Sequence, residues 1–487
     1  MTRIDPQYYN CHHDKLATRH KDRRRSARLA GRIENAIETG DLPSGAKLPP
    51  QRNLAFDLGV TVGTVSRAYQ IVRERGLVSG EVGRGTYVME RQADEIRPAP
   101  AIRQAPAPRG GERSPLVDNT IAMTSTAAAN VGQGPLIGEI IGKASVETGY
   151  AGIDYIRSIP SSWQEAGSQW LAHNGWTPDP GTVIPTLGVH AGIMAAVTAV
   201  STIGDRIAFE ELCYPATPRA VAMSGRRVAR LKSTPDGIDP EDFEHVCAQQ
   251  HPKALVLVAT LNNPTLGTVS EENRQRIVEI ARRYNVWIIE DNIYGGLKDQ
   301  SPTPIASMAP ERTFHLDGLS KSVSAGLRSG WISCPKGTLT RVVNAHRLLT
   351  GGAPFLLKET AARLVLSGEA TRIRSRVREI IAKRSNLAVE WLSAANPDVE
   401  VRSDPDCPFV WLTLPDPWLP GTFGKAAREV GVAVDVADEY KIGAISYPCP
   451  NVRISLTGPL SDAQLEQGLA ALADLLSSPS LNFDSYE

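Results

Sequence analysis

The sequence predicts a multidomain protein. An N-terminal winged helix-turn-helix, helical with a β-wing, precedes a large α/β domain with a mostly parallel central sheet and a smaller C-terminal α+β subdomain. With 487 residues, 41% of them hydrophobic, the chain exceeds a single typical domain and can bury at least one large core. A Pro- and Ala-rich stretch interrupts the chain near residue 91, and β-branched runs alternate with helical runs after it. The predicted ranges are therefore 1–90, a linker over 91–116, and 117–487.

The first 90 residues have the hydrophobic spacing of a helix-turn-helix. Leu29 and Ile33 recur at helical intervals, and Gly40 ends that helix. The stretch LPPQRNLAFDLGVTVGTVSRAYQIVRERG then predicts two short amphipathic helices separated at Gly59 and Val60. Its continuation, LVSGEVGRGTYV, predicts a small β-hairpin, or wing. Because the second helix of such a motif enters the DNA major groove, this region indicates a DNA partner.

Charge sets the same region apart. The whole chain is balanced, with 53 Lys and Arg against 53 Asp and Glu, so it has no overall polyelectrolyte character. Residues 1–90 nevertheless carry 15 Lys and Arg against 10 Asp and Glu. The stretch HKDRRRSAR, residues 20–28, is either a phosphate-contacting patch or a solvated helix face.

The stretch RQADEIRPAPAIRQAPAPRGGERSP, residues 91–115, contains almost no large apolar side chain. Such a segment cannot bury enough surface to fold alone and favours extended conformations. It therefore predicts a linker between two separately folded regions.

Cysteine usage and hydropathy predict a cytoplasmic protein without a membrane partner. The six cysteines are scattered, with no CxxC pair and no zinc-ligand spacing, which is typical of reduced thiols. The CHH run at Cys11–His13 stands alone, so we expect a tail there and no metal site. No apolar signal core opens the sequence, and the most apolar helical run, AGIMAAVTAV, is too short to span a bilayer.

In the large domain, polar side chains follow three successive predicted strands. The run ALVLVAT ends before Asn263, VWIIE ends before Asp291 and Tyr294, and TFHLDG leads to Lys321. Ligands of mostly parallel sheets bind at the carboxyl ends of the strands. Taken singly, Asp291 could be a helix cap, Tyr294 a packing residue and Lys321 a solvated loop residue. Their common position at strand ends favours a shared site.

From about residue 117 to the C-terminus, these motifs resemble the fold-type I pyridoxal-phosphate aminotransferases in order and spacing. The resemblance implies pyridoxal 5′-phosphate as the cofactor, held by Lys321 as a Schiff base. A desolvated lysine beside other cations is partly deprotonated near neutral pH, as that bond requires. The resemblance implies that Asp291 contacts the cofactor's ring nitrogen, because a carboxylate there raises the basicity of that nitrogen. It also implies that Asn263 and Tyr294 contact the cofactor's phenolate oxygen.

The same resemblance implies the remaining contacts of the cofactor. In the turn TLGVHAG a helix N-terminus would bind the phosphate, and Arg328 and Ser320 would complete this phosphate-binding site. A ring stacked on the cofactor would come from Tyr214 in CYPAT. In NVRISL, Arg453 resembles the arginine that grips a ligand carboxylate, with a surface salt bridge as the alternative. The phosphate turn contributes Gly188, Val189 and His190, the last of which could instead be a capping or packing residue.

Two departures from the family pattern concern the phosphate. Gly318 stands three residues before the lysine, where the family usually has a phosphate-binding Ser or Thr. The family's tyrosine that reaches the neighbouring subunit's phosphate has no clean match, because YAGIDYIRSIPSSW offers Tyr150 or Tyr155; of the two we expect Tyr155. Phosphate anchoring is therefore expected to be weaker or differently built.

The N-terminal stretch KLPPQRNLAFDLGVTVGTVSRAYQIVRERGLV resembles the signature of GntR-type regulators. The resemblance implies that the residues facing DNA are Arg52, Thr61, Thr64, Ser66 and Arg67, with Gly83 and Arg84 of the wing approaching the minor groove. Val62 stands where family members commonly have an arginine, so one base contact is expected to be absent or replaced.

A winged helix joined by a long Pro-rich linker to an aminotransferase-like domain resembles the MocR-type subgroup of GntR regulators. This architecture implies a homodimer through the large domain, often with the DNA-binding domain of one subunit packed on the large domain of the other. The expected function is a pyridoxal-phosphate-dependent transcriptional regulator of operator DNA, in which an amino compound forms an external aldimine in place of Lys321 and alters DNA binding. One alternative is a working aminotransferase with an accessory DNA-binding domain. Another is a DNA binder whose large domain has lost its cofactor and serves as a dimerisation scaffold.

Overall fold

The structure is a computed structural model of the full chain, and it describes residues 19–43, 45–75, 77–81, 85–89, 120–156, 158–443, 445 and 447–477. The chain divides into two compact units, Met1–Ala105 and Pro106–Glu487. The predicted linker and the wing residues Gly83 and Arg84 lie outside the described residues. No helix in the described part of the chain is long and apolar enough to cross a membrane.

The N-terminal unit is the predicted winged helix-turn-helix. Its elements are α1 (Arg19–Glu38), α2 (Gln51–Asp57), α3 (Val62–Glu74), β1 (Val78–Glu81) and β2 (Gly85–Val88). Leu29, Ile33, Leu54 and Val65 are buried in one core, as their hydrophobic spacing predicted. The turn between α2 and α3 passes through Gly59, whose φ of +62° is a left-handed conformation that glycine adopts without steric cost.

The large unit alternates strands and helices along most of its length. Its strands are β3 (Ile121–Ala122), β4 (Val183–Thr186), β5 (Arg206–Glu210), β6 (Arg227–Leu231), β7 (Ser233–Thr234), β8 (Gly237–Ile238), β9 (Ala254–Leu257), β10 (Trp287–Asp291), β11 (Thr313–Gly318), β12 (Gly330–Ser333), β13 (Glu400–Arg402), β14 (Phe409–Thr413), β15 (Val432–Ala433), β16 (Asp435–Val436) and β17 (Asn451–Ser455). Its helices are α4 (Gly134–Glu147), α5 (Ser161–Leu171), α6 (Val189–Val200), α7 (Ala216–Met223), α8 (Pro240–Gln250), α9 (Glu271–Arg283), α10 (Ile305–Met308), α11 (Leu339–Thr350), α12 (Phe355–Leu366), α13 (Glu369–Ala395), α14 (Pro420–Glu429) and α15 (Asp462–Ser477).

Seven strands form the central sheet in the order β4-β12-β11-β10-β9-β5-β6. The neighbouring pairs from β11 to β6 are parallel, and only β12 runs against its neighbours. Ile289 faces one apolar core, shared with α6, and Ile288 faces the other, shared with α8 and α9. Helices thus cover both faces, as the alternation of strands and helices predicted.

The C-terminal subdomain has a four-stranded antiparallel sheet in the order β13-β14-β17-β16. Val452 and Ile454 of β17 enter its apolar core, together with side chains of α14 and α15. Because side chains alternate across a strand, Arg453 points to the opposite face of this sheet. On that face the Arg453 side chain reaches the carboxyl ends of the central strands, where it contacts Asn263.

Candidate functional site

A cavity of about 370 Å³ lies at the carboxyl edge of the central sheet. The loops after β4, β5, β9, β10 and β11 all reach it, as expected for a mostly parallel sheet. The cavity is lined by every residue predicted to contact the cofactor or its ligand except Tyr155: Gly188, Val189, His190, Tyr214, Asn263, Asp291, Tyr294, Ser320, Lys321, Arg328 and Arg453.

Lys321 lies in the loop that follows β11, and its amine faces this cavity. Its Nζ donates a hydrogen bond to Thr126 Oγ1 at 2.9 Å and lies 5.8 Å from the centroid of the Tyr294 ring. Burial and the positive charges of Arg453 and Arg328 lower the pKa of Lys321 to about 8, although Asp291 acts in the opposite direction. About a tenth of this amine is therefore unprotonated and nucleophilic at pH 7, far more than for a lysine with its ordinary pKa.

Asp291 is the last residue of β10 and lines the same cavity. Burial raises the pKa of its carboxyl to about 6, although the Ile293 amide, which donates to Oδ1 at 3.0 Å, and the Lys321 charge favour ionisation. A cationic ring nitrogen beside this carboxylate would remove the cost of burying it. The position fits the pyridine nitrogen of pyridoxal phosphate.

The first turn of α6 also lines the cavity. Gly188 has a φ of +78° and precedes the helix, and no side chain caps the exposed amides. A Cβ at Gly188 would lie 3.9 Å from the guanidinium carbon of Arg328, so this backbone and this cation face the same space. His190 Nδ1 is buried with no hydrogen-bond partner among the described residues, and burial lowers the pKa of that ring. A helix N-terminus beside a guanidinium is suited to a phosphate.

Gly318 has no room for the hydroxyl side chain that the family usually carries there. A Cβ at this position would lie 2.9 Å from the Ser329 carbonyl oxygen and 3.2 Å from a Val189 methyl. Ser320, two residues further on, lines the cavity instead. The departure in sequence thus corresponds to a closer approach of β11 to the backbone around β12.

Arg453 is buried beside the cavity with three hydrogen-bond partners. Its Nη1 donates to Asn263 Oδ1 at 2.8 Å, and its Nη2 donates to the Thr124 carbonyl oxygen at 2.6 Å and to the Asp435 carboxylate. The guanidinium also lies 5.2 Å from the centroid of the Tyr440 ring. The pKa of Arg453 is raised, because the neighbouring Tyr440 and Asp435 outweigh the effect of its burial.

Several lining residues were not predicted from the sequence, among them Thr126, Asp435, Glu439 and Tyr440. Thr126 accepts from Lys321 and lies 3.1 Å from the Tyr294 hydroxyl, but it stands in the stretch MTSTAAAN, which has no recognisable pattern. Asp435 had a detectable signal, because it is an acidic residue inside the apolar run VAVDV.

Tyr155 is 88% exposed and does not line the cavity of its own chain. The proposed role of this side chain is to reach the phosphate of a neighbouring subunit, so its contact with the cofactor stays a prediction. The side chain of Tyr150 lies outside the described residues.

The predicted DNA-contacting residues are divided between two environments. Arg52, Ser66 and Arg67 are exposed on α2 and α3. Thr61 precedes α3 and caps it, because its Oγ1 accepts from the Thr64 amide at 3.2 Å. Thr64 is only 4% exposed, and its hydroxyl lies 2.9 Å from Thr61 Oγ1. Its contact with DNA stays a prediction.

Comparison with known proteins agrees with both units. Residues 25–88 match the bacterial regulatory proteins of the gntR family, and residues 155–472 match aminotransferase class I and II. The HTH-type transcriptional regulator YdeF of Bacillus subtilis (strain 168) is 30% identical, over 92% of this chain and 93% of its own. The chain belongs to the MocR-type GntR regulators. It is a transcriptional regulator with an aminotransferase-like domain.

Other relatives support this assignment. The HTH-type transcriptional regulator YjiR of Escherichia coli (strain K12) is 27% identical, over 80% of this chain and 86% of its own. Among solved structures, an archaeal alanine:glyoxylate aminotransferase superposes with a TM-score of 0.67 at 20% identity, covering 74% of this chain and 91% of its own. Pyridoxal 5′-phosphate is the cofactor of the fold-type I aminotransferases, and the residues of this MocR-type regulator fit it: a nucleophilic lysine, a carboxylate for the ring nitrogen and an anion-binding helix end.

Proposed function

We propose that this regulator senses an amino compound that displaces Lys321 from pyridoxal phosphate, and that the exchange alters its binding to operator DNA. The observation that carries the proposal is the Lys321 amine, whose pKa is lowered to about 8 and which faces a cavity shared with Asp291. An amine of this kind can form and release an imine near neutral pH. In the same chain, a winged helix presents Arg52 and Arg67 on its surface.

Each part of the site has a distinct task in this proposal. Lys321 holds the cofactor until a ligand amine replaces it, and Thr126 is positioned to keep the freed Nζ inside the cavity. Asp291 stabilises a protonated ring nitrogen, while the first turn of α6 and Arg328 retain the phosphate. When bound, the cofactor supplies the aldehyde carbon at which the two amines exchange.

An aminotransferase that carries an accessory DNA-binding domain is the second candidate. Asn263, Asp291, Tyr294 and Lys321 line one cavity, and such a set also suits amino-group transfer. Against it, Asp435 holds the arginine that would otherwise bind the carboxylate of an amino-acid substrate. The regulatory function is therefore our conclusion, and turnover is an outcome of its test.

We further propose that the regulator works in the cytoplasm as a homodimer assembled through its large unit. Val146, Ile153 and Tyr155 support a subunit contact, because between 81% and 88% of each side chain is exposed within ten residues of chain. Tyr155 would then be free to reach the partner subunit. A ligand that binds one dimer arrangement better than another shifts the population towards that arrangement.

The deciding experiment follows cofactor absorption and DNA affinity in the same samples. Wild-type protein loaded with pyridoxal phosphate is titrated with a panel of amines while binding to DNA selected by the protein from a random pool is measured by fluorescence anisotropy. We expect an amine that changes the visible spectrum to change DNA affinity over the same concentration range. Before any amine is added, Lys321→Ala should lack the absorption that distinguishes lysine-bound from free cofactor, because no lysine is available to hold the aldehyde.

Arg67→Ala is the matched control for the DNA-binding half of the experiment. Loss of one arginine contact should weaken DNA binding roughly five- to a hundredfold while the spectral response to amines stays unchanged. A spectral shift without any change in DNA affinity would contradict the sensor. Sustained turnover with an α-keto acid, at a rate typical of metabolic enzymes, would favour the aminotransferase.

A further inference from the structure

The guanidinium of Arg453 has no free pair of donors for a carboxylate. A guanidinium offers two two-point edges, one formed by Nη1 and Nη2 and the other by Nε and Nη2, so both edges require Nη2. Both hydrogens of Nη2 are already used, one by the Thr124 carbonyl oxygen and one by Asp435. A ligand carboxylate could receive at most a single-point contact from Nε, which has no partner among the described residues, or from the remaining hydrogen of Nη1.

The pairing of Asp435 with Arg453 is fixed by the backbone. Asp435 of β16 stands directly opposite Arg453 of β17 in the antiparallel register, so both side chains emerge from the sheet at the same place and on the same face. Only 6% of Asp435 and 5% of Arg453 is exposed. A ligand carboxylate would have to expel Asp435 from a position that the strand register dictates.

A second carboxylate, Glu439, lines the same side of the cavity. No hydrogen bond or ion pair reaches it within the part of the chain that the structure describes, and it stays partly exposed. Burial and the nearby charge of Asp435 raise the pKa of Glu439, although the charges of Arg219, Arg453 and Arg428 act in the opposite direction. Because the pKa is raised on balance, an added cation beside this carboxylate would be stabilised.

Charge therefore favours a cation on this side of the site. The cofactor would be held by Lys321, Asp291 and Arg328, which line the same cavity. The ligand then meets one guanidinium, Arg453, and two carboxylates, Asp435 and Glu439. An incoming carboxylate would add a third negative charge, whereas an ammonium or guanidinium would balance the second.

We infer that the effector is an amine with a second cationic group, such as an alkyl diamine, and that its free cation lies against Asp435 and Glu439. This inference rests on the proposed function, because the other amine of the same molecule exchanges with Lys321. It replaces the expectation that Arg453 binds a ligand carboxylate. The cavity of about 370 Å³ is at the small end of ligand sites and suits a cofactor with a short aliphatic compound.

The test compares pairs of compounds of equal length that differ only in the charge at one end. Putrescine is compared with γ-aminobutyrate, and cadaverine with δ-aminovalerate, on the loaded full-length protein. The readout is the concentration that produces half of the change in cofactor absorption, corrected by the same titration of free pyridoxal phosphate. We expect each diamine to act at a concentration about ten- to a hundredfold lower than its amino-acid counterpart, the range that one charged hydrogen bond supplies.

Two variants assign the preference to the two carboxylates. Asp435→Asn should weaken the response to the diamines and strengthen the response to the amino acids, because the negative charge leaves and Nη2 is held less tightly. Glu439→Gln should weaken only the response to the diamines. Since Glu439 is partly exposed and pairs with no described side chain, this second variant is expected to fold even if Asp435→Asn does not.

The outcomes separate this inference from the proposed function. If the amino acids act at equal or lower concentrations than the diamines, or if other amines act and none of these four compounds does, the inference is wrong and the sensor stands. If no amine of any kind changes the cofactor's absorption, the proposed function itself fails. A diamine preference that survives both substitutions would also overturn the assignment to Asp435 and Glu439.

Discussion

Two buried arginine–carboxylate pairs in the large unit differ in how completely their hydrogen bonds are used. Arg274 of α9 pairs with Glu290 of β10, and all five of its N–H donors are used: Nε by Val269, Nη1 by Glu290 and Thr303, and Nη2 by Ala259 and Thr260. Arg453 is equally buried, yet only three of its donors have partners. The first pair lies inside the fold, and the second borders a cavity.

The carboxylates of the two pairs, Glu290 and Asp435, also differ in how well the protein stabilises their charged form. Glu290 accepts from the Ile305 and Ala306 amides at 3.0 and 3.2 Å and from His315 Nδ1 at 2.9 Å. Burial alone would raise the pKa of Glu290, but His315, Arg274 and the amides together lower it. For Asp435 burial prevails over Arg453 and the pKa is raised. The comparison teaches that a saturated pair holds a fold together, whereas an unsaturated pair beside a cavity is available for recognition.

The largest effect is expected from Glu290→Gln. Glutamine would replace one carboxylate oxygen by an NH2 group, which would face either Arg274 and the Ile305 amide or the Ala306 amide and His315. The buried guanidinium would also lose its counter-charge. We expect the free energy of unfolding of the large unit to fall by about 3–5 kcal/mol, measured by urea denaturation of the full chain. Glu311→Gln is the control: Glu311 pairs with Arg282, both are 48% exposed, and its removal should cost about 1 kcal/mol or less. Equal losses in the two variants would contradict a structural role for the Arg274 pair.

The next effect concerns pH and the influence of Arg453 on Lys321. The pKa of Lys321 is lowered to about 8, so in the folded protein without cofactor this amine loses its proton as pH rises through that value. The rate at which pyridoxal phosphate is incorporated should therefore rise about tenfold per pH unit below pH 8 and level off above it, measured by absorption in stopped flow. A lysine with its ordinary pKa would show no such plateau before pH 10.

Removing the Arg453 charge sharpens this prediction. Arg453 is one of the causes that lower the pKa of Lys321, so Arg453→Gln should move the plateau to higher pH. Arg282→Gln, which changes an exposed arginine outside the cavity, is the matched control and should leave the profile in place. An unchanged profile in Arg453→Gln would show that burial alone sets the reactivity of the lysine.

The fold and most of the site could be predicted because their signals are local. Alternating strand and helix runs predicted the parallel sheet, and the order of the strand ends predicted that Asn263, Asp291 and Lys321 would share one edge. The wing residues Gly83 and Arg84 lie outside the described residues, so their contact with DNA stays a prediction. Thr64 is only 4% exposed, because the first turn of such a helix has an inner face as well as an outer one, and its contact with DNA stays a prediction.

The arginine pairs could not be predicted, because their partners are set by tertiary structure. Arg274 stands in EENRQRIVEIARR, which has the composition of a solvated helix, although its side chain is 1% exposed. Asp435 and Arg453, which are 18 positions apart in the sequence, are brought together by the register of β16 and β17. Neither hydrophobic spacing nor a short motif encodes that register.

The smallest effect is expected from Asp435→Asn, and its size tests the comparison directly. The raised pKa of Asp435 means that folding disfavours its charge, whereas the lowered pKa of Glu290 means that folding favours it. The pKa of Arg453 is raised as well, so its charge contributes to stability at neutral pH, but an asparagine oxygen at position 435 can still accept a hydrogen bond from Nη2. Arg453 also keeps Asn263 and Thr124 as partners.

We therefore expect Asp435→Asn to change the free energy of unfolding by no more than about 1 kcal/mol in the same urea experiment, against about 3–5 kcal/mol for Glu290→Gln. A loss as large as that of Glu290→Gln would make the second pair a structural element like the first, and Asp435 would then not be available to recognise a ligand.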